Sequence, residues 1–249
     1  AQANTIVFDK TGTLTYATPK VARIVTFGGN EESEMLRLAA CLEEHYPHSI
    51  ANAVVAEARD RGLTHEEYHS QVQYVVAHGI SSMVDEKTVL IGSAHFVFED
   101  EGCRVPEGEE DKFESLPPEY SHLYLCIAGE LAAVICIHDP LRKEAKAAVR
   151  ALPALGIDKV VMMTGDSRKT AEAVAAEVGV DAVYAEVLPE DKAAFVQKAK
   201  SEGHTVVMIG DGINDSPALS AADIGIAINS GAAIAREIAD VTIKADSLE

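Results

Sequence analysis

One acidic residue, placed directly after a short apolar run, does most to constrain how this chain folds. Thr5-Ile6-Val7-Phe8 has the composition of a buried strand, and Asp9 follows it at the head of the string Asp-Lys-Thr-Gly-Thr-Leu-Thr. Gly12 ends the strand pattern. Open α/β sheets bind ligands at the carboxyl ends of their strands, so Asp9 is expected at a binding edge. A carboxylate there is able to attack phosphorus and form an aspartyl-phosphate. A simple turn capped by the aspartate is the alternative.

The charge of the chain narrows the class of partner. Its 249 residues carry 21 basic and 40 acidic side chains, a formal net charge of −19. Nucleic-acid affinity comes largely from neutralising phosphates, so a nucleic-acid partner is disfavoured, and so is docking on anionic lipid. No apolar run approaches the roughly 20 residues that a membrane-spanning helix needs, and no signal peptide is evident. We therefore expect a soluble body, and a start almost directly on the Asp9 strand suggests a piece of a longer protein.

The cysteines give no sign of a metal site. Cys41, Cys103, Cys126 and Cys136 are scattered and form no Cys-x-x-Cys pair. Unpaired cysteines are among the most buried residue types. We expect four buried thiols rather than metal ligands or disulfides.

The order of apolar segments predicts two domains, one inserted into the other. From His138 onward strands and helices alternate, which is typical of a parallel sheet with helices on both faces, and the Asp9 strand belongs to that sheet. The segment before it has two helices and several paired strands. We therefore predict an α/β fold: a doubly wound parallel sheet formed by residues 1–22 and 136–249, with an α+β antiparallel-sheet domain, residues 23–135, inserted.

Two polar motifs follow other strands of the predicted parallel sheet. Thr164-Gly165-Asp166 and Gly210-Asp211-Gly212-Ile213-Asn214-Asp215 each come directly after an apolar run. Because the carboxyl ends of parallel strands meet at one edge, both motifs are expected beside Asp9. Lys192, one turn inside a helix that starts near Pro189, adds positive charge. Taken alone, the first motif is equally typical of a turn and Lys192 of a solvated lysine.

These residue types suit phosphoryl transfer, which depends mainly on positioning and charge neutralisation. Asp9 would attack the γ-phosphorus, and Mg²⁺ prefers hard oxygen ligands. The oxygen donors available to the cation and its surroundings are Asp9, Asp211, Asp215 and the main-chain oxygen of Thr11. The groups available to the phosphate are Thr164, Gly165, Lys192 and Asn214.

The motifs resemble the phosphorylation domain of P-type ATPases, within the haloacid-dehalogenase superfamily. The Asp-Lys-Thr-Gly-Thr-Leu-Thr string and the later Gly-Asp-Gly-Ile-Asn-Asp-Ser-Pro-Ala-Leu string carry the resemblance, which extends over nearly the whole chain. It implies a haloacid-dehalogenase-like fold and hydrolysis of ATP with Mg²⁺, coupled to ion transport in the intact protein. It also implies that Asp9 is phosphorylated, with Asp211 and Thr11 on the magnesium.

The small insert resembles the nucleotide-binding domain of the heavy-metal branch. That branch has a Glu followed five residues later by His-Pro, and Glu43 and His48 keep this spacing, although Ser49 replaces the Pro. The branch's Gly-x-Gly appears as Ala77-His78-Gly79, and Gly92 matches a later glycine. The resemblance implies ATP binding by Glu43, His48, Gly79 and Gly92. For His48, capping of the following helix is the alternative role.

The resemblance also implies partners outside this chain. Asp139-Pro140-Leu141-Arg142 resembles the family's Asp-Pro-x-Arg hinge between domains, with Lys143 in place of a usual Pro. The family's actuator domain, its membrane helices and their metal-binding Cys-Pro motif have no counterpart here. A full-length protein of this kind lies in the cell membrane, with this part on the cytoplasmic face. Neither the transported metal ion nor the direction of transport can be read from these residues.

Two other functions remain open from the sequence. A free-standing haloacid-dehalogenase phosphatase with a cap domain would carry a second Asp two residues after the nucleophile, and this chain has Thr11 there. A nucleotide-binding regulatory module without turnover would not need Asp9, Asp211 and Lys192 together. Both features favour a P-type ATPase over its rivals.

Overall fold

The structure is a computed structural model that describes residues 3–63, 71–76, 79–212, 215–228 and 241–243. The chain divides into two compact units. The parallel-sheet unit comprises Ala1–Ala17 and Pro140–Glu249, and the antiparallel-sheet unit comprises Thr18–Asp139. Within the described residues, no helix is both long enough and apolar enough to span a membrane.

The described residues contain twelve strands and seven α-helices. The strands are β1 (Thr5–Asp9), β2 (Lys20–Thr26), β3 (Gln71–Val76), β4 (Gly79–Val84), β5 (Lys87–Gly92), β6 (Ser121–Ile127), β7 (Glu130–His138), β8 (Lys159–Met163), β9 (Ala182–Tyr184), β10 (Val206–Gly210), β11 (Ile224–Ile228) and β12 (Val241–Ile243). The helices are α1 (Glu32–Glu43), α2 (Ser49–Asp60), α3 (Glu110–Glu114), α4 (Ala145–Ala151), α5 (Arg168–Val178), α6 (Lys192–Ser201) and α7 (Ser216–Ala221).

The sheet of the parallel-sheet unit is built around β1. Its strand order is β12-β11-β10-β1-β8-β9, and the strands pair in parallel. Every residue of β1 is buried. Ile6 and Phe8 pack into one hydrophobic cluster and Val7 into the cluster on the other side, which explains the continuous apolar run before Asp9.

The antiparallel-sheet unit has a six-stranded sheet in the order β2-β7-β6-β5-β4-β3. Helices α1 and α2 contribute Leu36, Ala39 and Val54 to a core shared with Ile91 and Ile135 of the sheet. A second cluster contains a different set of sheet and loop side chains, among them Phe27, Phe96, Val97, Tyr124 and Leu131. The sheet is therefore packed on apolar side chains in two separate clusters.

The prediction of a parallel sheet and a separate antiparallel sheet is confirmed. The domain boundaries drawn from the sequence, at 22/23 and 135/136, fall inside β2 and β7. These two strands pair with each other from Lys20↔His138 to Thr26↔Ala133, so both belong wholly to the antiparallel-sheet unit. Among the alternating segments after His138, residues 142–155 have the apolar pattern of a helix, and α4 begins there at Ala145 and is followed by a short 3₁₀ turn. A second helical pattern, near 232–237, lies outside the described residues.

The expectation for the cysteines is wrong for one pair. Cys103 and Cys126 form a disulfide across 23 residues of sequence, with their Cα atoms 6.7 Å apart. Cys41 and Cys136 are free and buried, as expected. The paired cysteines come together in the cluster around Phe96, a contact between a loop and a strand that sequence spacing does not reveal.

Candidate active site

The topology of the parallel sheet places Asp9 at its switch point. The chain passes from β1 to β8 and β9 on one side, then crosses back to β10, β11 and β12 on the other. Asp9 is the last residue of β1 and pairs with Met163, the residue before Thr164. Phe8 pairs with Ile209, two residues before Asp211. The three motifs singled out in the sequence therefore leave adjacent strands at one edge, where ligands bind in such sheets.

Lys192 joins two buried carboxylates at this edge. Its Nζ atom donates to Asp9 Oδ2 at 3.2 Å and to Asp215 Oδ1 at 2.9 Å. The side chains of Asp9, Lys192 and Asp215 are 7%, 12% and 0% exposed. Lys192 is the first residue of α6, on the crossover between β9 and β10, which explains how a residue distant in sequence reaches the end of β1.

Two buried carboxylates share this one ammonium group, and the charge balance is incomplete. Burial raises the pKa of Asp9 well above its usual range, and the Asp215 carboxylate raises it further, against the opposing effect of Lys192. Although burial acts in the opposite direction, Asp9 and Asp215 raise the pKa of Lys192 above its ordinary value, so it stays protonated. Ionised Asp9 is thus short of positive charge, which favours a further cation beside it.

Asp215 has both of its oxygens engaged. Oδ1 accepts from Lys192, and Oδ2 accepts the main-chain N–H of Asp211 at 3.2 Å. A Cβ atom on Gly210 would overlap the Asp215 carboxylate, so glycine is required there by packing. Asp211 lies beside the turn that follows Asp9, because a Cβ atom on Gly12 would stand 2.8 Å from Asp211 Oδ2. Asn214 lies outside the described residues.

The carboxylates at this edge could hold a hard divalent cation only together with main-chain oxygens and oxygens of a bound phosphate. No three His, Cys, Asp or Glu side chains in the described ranges are grouped closely enough to hold a metal ion by themselves. Asp9 and Asp211 offer carboxylates, and Thr11 is the exposed residue of the buried turn Lys10–Leu14. Mg²⁺ in proteins usually keeps several waters and binds one or two carboxylates together with phosphate oxygens. Two carboxylates beside an exposed turn agree with this coordination.

The Thr164-Gly165-Asp166 turn contains an internal hydrogen bond that fixes the Thr164 hydroxyl. The Asp166 N–H donates to Thr164 Oγ1 at 3.1 Å, which leaves the hydroxyl hydrogen of Thr164 to donate elsewhere. Gly165 is exposed, while Thr164 is buried. Lys10 forms a buried ion pair with Asp166 that the sequence analysis missed. A lysine directly after the buried strand that ends at Asp9 was the available signal, because a buried charge needs a partner.

In the antiparallel-sheet unit, Glu43 and His48 are in direct contact. The His48 Nε2 and Glu43 Oε2 atoms are 3.0 Å apart, and His48 Nδ1 accepts the N–H of Ala51 at 3.3 Å. An accepting Nδ1 requires the hydrogen on Nε2, so His48 donates to Glu43. His48 therefore both caps α2 and binds Glu43, which joins the two roles that the sequence left as alternatives. Glu43 is 3% exposed, whereas His48 is 53% exposed and presents its ring to solvent.

Gly79 and Gly92 face each other on neighbouring strands, as directly paired residues of β4 and β5. A Cβ atom on Gly79 would overlap the ring of Phe96, so packing alone accounts for glycine at this position. Phe96 also makes an edge contact with Tyr74, at 6.3 Å between ring centroids. The sequence analysis missed Phe96 because nothing local links it to Gly79. The first residues of the Ala77-His78-Gly79 string lie outside the described residues.

Comparison with known proteins agrees with these motifs. Residues 3–223 match the family described as haloacid dehalogenase-like hydrolase. The chain is 38% identical over 243 residues to a copper-exporting P-type ATPase of Bacillus subtilis (strain 168), covering 96% of this chain and 30% of that protein. It is 39% identical over 250 residues to a manganese-exporting P-type ATPase of Mycobacterium bovis, covering 99% of this chain and 34% of that protein. The chain thus spans about a third of these curated relatives.

A solved structure matches the full extent of the chain. The catalytic domain of the CPx-ATPase CopB-B, studied for its conformational changes upon nucleotide binding, superposes with a TM-score of 0.74 at 28% identity. The match covers 99% of this chain and 86% of that one. The resemblance to P-type ATPases inferred from the motifs is thereby confirmed, as is the haloacid-dehalogenase-like fold.

The charge balance at Asp9 predicts that the wild-type residue costs stability at neutral pH. A raised pKa in the folded state means that the folded protein holds the proton more tightly, so stability falls as pH rises from the ordinary Asp value through the raised one. Asp9→Asn should therefore be more stable than wild type at neutral pH, because the neutral amide does not have to lose a proton. The two should converge near pH 4, at about the ordinary Asp value.

Urea unfolding in metal-free buffer across this pH range measures the difference. Asp158→Asn is the matched control, because Asp158 is an exposed aspartate of the same unit, and it should show no such pH-dependent gain. A gain for Asp9→Asn that stayed constant down to pH 4 would contradict the raised pKa.

The packing of Gly79 against Phe96 predicts a compensating pair of substitutions. Gly79→Ala should destabilise the antiparallel-sheet unit by about 1–3 kcal/mol, because the added methyl group overpacks the Phe96 ring. In a Phe96→Leu background the same substitution should cost less, since the smaller side chain leaves room. Urea unfolding of the four proteins gives the coupling free energy, and equal costs in both backgrounds would show that the ring is not the obstacle.

Proposed function

The chain belongs to the haloacid dehalogenase-like hydrolase family, and from this premise we propose that it is the catalytic part of an ATP-driven heavy-metal cation pump. It binds ATP with Mg²⁺ and transfers the γ-phosphoryl group to Asp9. The observation that carries the proposal is the bridge from Lys192 to the buried carboxylates of Asp9 and Asp215, at the switch point of the sheet. A turn or a binding module has no use for a buried nucleophile held by a shared cation.

Transfer of the γ-phosphoryl group from ATP uses residues at this edge of the parallel sheet. An Asp9 carboxylate oxygen bonds to the γ-phosphorus, the bond from that phosphorus to the β–γ bridging oxygen breaks, and ADP leaves with the electron pair. Lys192 neutralises charge on the transferred group, while Thr164 and Gly165 donate to its oxygens. Asn214, whose placement is not described, is assigned to the phosphate by its motif alone.

The residues that would hold Mg²⁺ are Asp9, Asp211 and the main-chain oxygen of Thr11. When bound, the cation supplies positive charge to the phosphate and to the Asp9 carboxylate, which lacks it otherwise. Asp215 was also predicted beside the metal. Because its oxygens accept hydrogen bonds from Lys192 and from the Asp211 main chain, we propose that Asp215 holds those two residues in position.

ATP is proposed to bind the antiparallel-sheet unit through Glu43, His48, Gly79 and Gly92. Since both ring nitrogens of His48 are engaged by protein groups, its exposed ring face is the part left for the adenine. Glu43 then acts by holding that ring in place. Gly79 and Gly92, which are paired on β4 and β5, are assigned to the nucleotide by their motifs alone, since the Phe96 ring occupies the side-chain space of Gly79.

The remaining partners are proposed from the relatives of this chain. Those relatives are about three times longer than this chain, and their names specify copper and manganese export. We propose that this chain works on the cytoplasmic side of a membrane protein, with actuator and transmembrane domains supplied by the rest of the protein. The transported heavy-metal ion binds in the transmembrane part and not here.

The proposal predicts a labelled but slowly turning-over protein. Hydrolysis of an aspartyl-phosphate is aided by a general base, which typically contributes 10²–10⁴-fold, and a hydroxyl such as that of Thr11 is not a base at neutral pH. With γ-labelled ATP and Mg²⁺, acid-quenched protein should carry label that hydroxylamine removes and that decays slowly in a chase. Asp9→Asn should carry none, and Lys192→Met should be labelled roughly 100-fold more slowly.

Hydrolysis of small phosphate esters, measured beside this labelling, separates the rival functions. Rapid multi-turnover hydrolysis of small phosphate esters, abolished in Asp9→Asn, would favour a free-standing phosphatase. Tight ATP binding with no label under any condition would favour a binding module without turnover.

The nucleotide site is tested by separating the two bonds of His48. Asn is a good N-cap, so His48→Asn should keep the cap of α2 while losing the bond to Glu43 and the ring face. Its affinity for a non-hydrolysable ATP analogue should fall by about tenfold, the scale of one lost buried hydrogen bond. Calorimetric titration measures this. His45→Asn, on an exposed histidine three residues away, is the control, and equal affinity in both variants would remove His48 from the site.

A further inference from the structure

Arg142 is a buried guanidinium that contacts the turn after the nucleophile. Its side chain is 4% exposed. The Nε atom donates to the main-chain oxygen of Thr13 at 2.8 Å, and Nη2 donates to that of Gly12 at 3.3 Å. The main-chain N–H of Arg142 donates to the oxygen of Leu14 at 2.8 Å. One residue therefore binds three consecutive carbonyl groups of the Lys10–Leu14 turn.

Neighbouring contacts hold the guanidinium in this position. Its Cζ atom lies 5.5 Å from the centroid of the Tyr16 ring, a cation–π distance. The Tyr16 hydroxyl accepts the main-chain N–H of Lys143 at 3.0 Å, and the Tyr16 N–H donates to Pro140 O at 3.1 Å. The Glu144 carboxylate stands 3.9 Å from Nη1 and provides the opposite charge. The segment after Pro140 is thus fastened to the segment after Asp9.

Four carbonyl groups of the Lys10–Leu14 turn accept hydrogen bonds from within the protein. The oxygen of Lys10 accepts the N–H of Thr15, and those of Gly12, Thr13 and Leu14 are bound by Arg142. Gly12 has a φ of 79°, in the left-handed region. Because glycine adopts many backbone conformations, the turn is able to change conformation if its carbonyl groups lose the hydrogen bonds from Arg142. Thr11, whose main-chain oxygen is the one expected on Mg²⁺, is the exposed residue of the turn.

We propose that Arg142 is a positioning residue for the magnesium site. By binding the carbonyls of Gly12, Thr13 and Leu14, it fixes the turn in the conformation that leaves the Thr11 main-chain oxygen to the cation. This inference rests on the proposed function, since it assigns Arg142 to the same site. It differs from the hinge role that the Asp-Pro-Leu-Arg motif implied, because the contacts of the guanidinium lie within the parallel-sheet unit.

The geometry also explains why arginine is needed. A guanidinium is planar, always charged, and presents several N–H donors in a rigid fork that serves two acceptors at once. A lysine ammonium at this position keeps the charge but serves Gly12 and Thr13 less well. Arg142→Lys is therefore the informative variant, because it preserves the buried charge beside Glu144 and changes the carbonyl contacts.

The test uses Mg²⁺ with beryllium fluoride, which mimics a phosphorylated aspartate and needs no nucleotide. The readout is the Mg²⁺ concentration that gives half of the thermal stabilisation by beryllium fluoride. Arg142→Lys should raise that concentration by about tenfold, the effect of one charge-assisted hydrogen bond, and Arg142→Met should raise it further. Affinity for a non-hydrolysable ATP analogue should stay at the wild-type value in both. Arg150→Lys, on an exposed arginine of α4, is the matched control and should behave as wild type.

Each other outcome overturns the proposal. An unchanged Mg²⁺ midpoint in Arg142→Lys would remove Arg142 from the magnesium site. A wild-type midpoint with weakened nucleotide binding would assign Arg142 to the hinge instead. An Arg142→Lys protein that does not fold would assign it to folding alone. Absence of any Mg²⁺-dependent stabilisation in wild type would contradict the magnesium site itself. If the proposed function is right and only this inference is wrong, acid-quenched labelling will show phosphorylated Asp9 in both wild type and Arg142→Lys. The two proteins will then also share the same Mg²⁺ midpoint.

Discussion

The arrangement of the catalytic edge depends on how one ammonium group divides its charge between two buried carboxylates. Lys192 lies closer to Asp215, at 2.9 Å, than to Asp9, at 3.2 Å. Three charged side chains with little access to water would be costly without these contacts, because desolvation penalises each ion. They also leave one negative charge in excess: burial raises the pKa of Asp9, and the Asp215 carboxylate raises it further. The three side chains therefore lack one positive charge, which is consistent with the proposed binding of a divalent cation beside Asp9.

Much of the fold follows from the sequence because the relevant signals are local. A strand covered on both faces must be apolar throughout, so β1 stands out as Thr5-Ile6-Val7-Phe8 before Asp9. Parallel strands then bring their carboxyl ends to one edge, and the meeting of Asp9 with the Thr164 and Asp211 motifs needs no further information. The inserted unit was visible in the change from alternating strands and helices to paired strands. Its limits were displaced by a few residues because β2 and β7 pair beyond the predicted boundaries.

The rest of the site could not be predicted because it consists of contacts between distant residues. Lys10 and Asp166 are 156 positions apart, and Arg142 is 129 positions from Thr13. Residue type says only that a buried charge needs a partner, and the fold decides which. The same holds for the contact of Phe96 with Gly79, in which a ring distant in sequence occupies the side-chain space of the glycine. Pairing of Cys103 with Cys126 is a further case.

Among the described residues of the parallel-sheet unit, three basic side chains lie against the segment that begins at Asp9, and each has a different acceptor. Lys192 contacts Asp9, Lys10 pairs with Asp166, and Arg142 binds main-chain carbonyls. Exchanging them would not preserve function, because each serves a different acceptor with a different geometry. A phosphate arriving at Asp9 would compete for Lys192 alone. Since Asp215 retains the shorter contact to Lys192, the ammonium is able to turn from Asp9 toward the phosphate without leaving its anchor. Under the proposed transfer to Asp9, Asp215 would then keep Lys192 in place, and this role accounts for a carboxylate that is completely buried against the ammonium group.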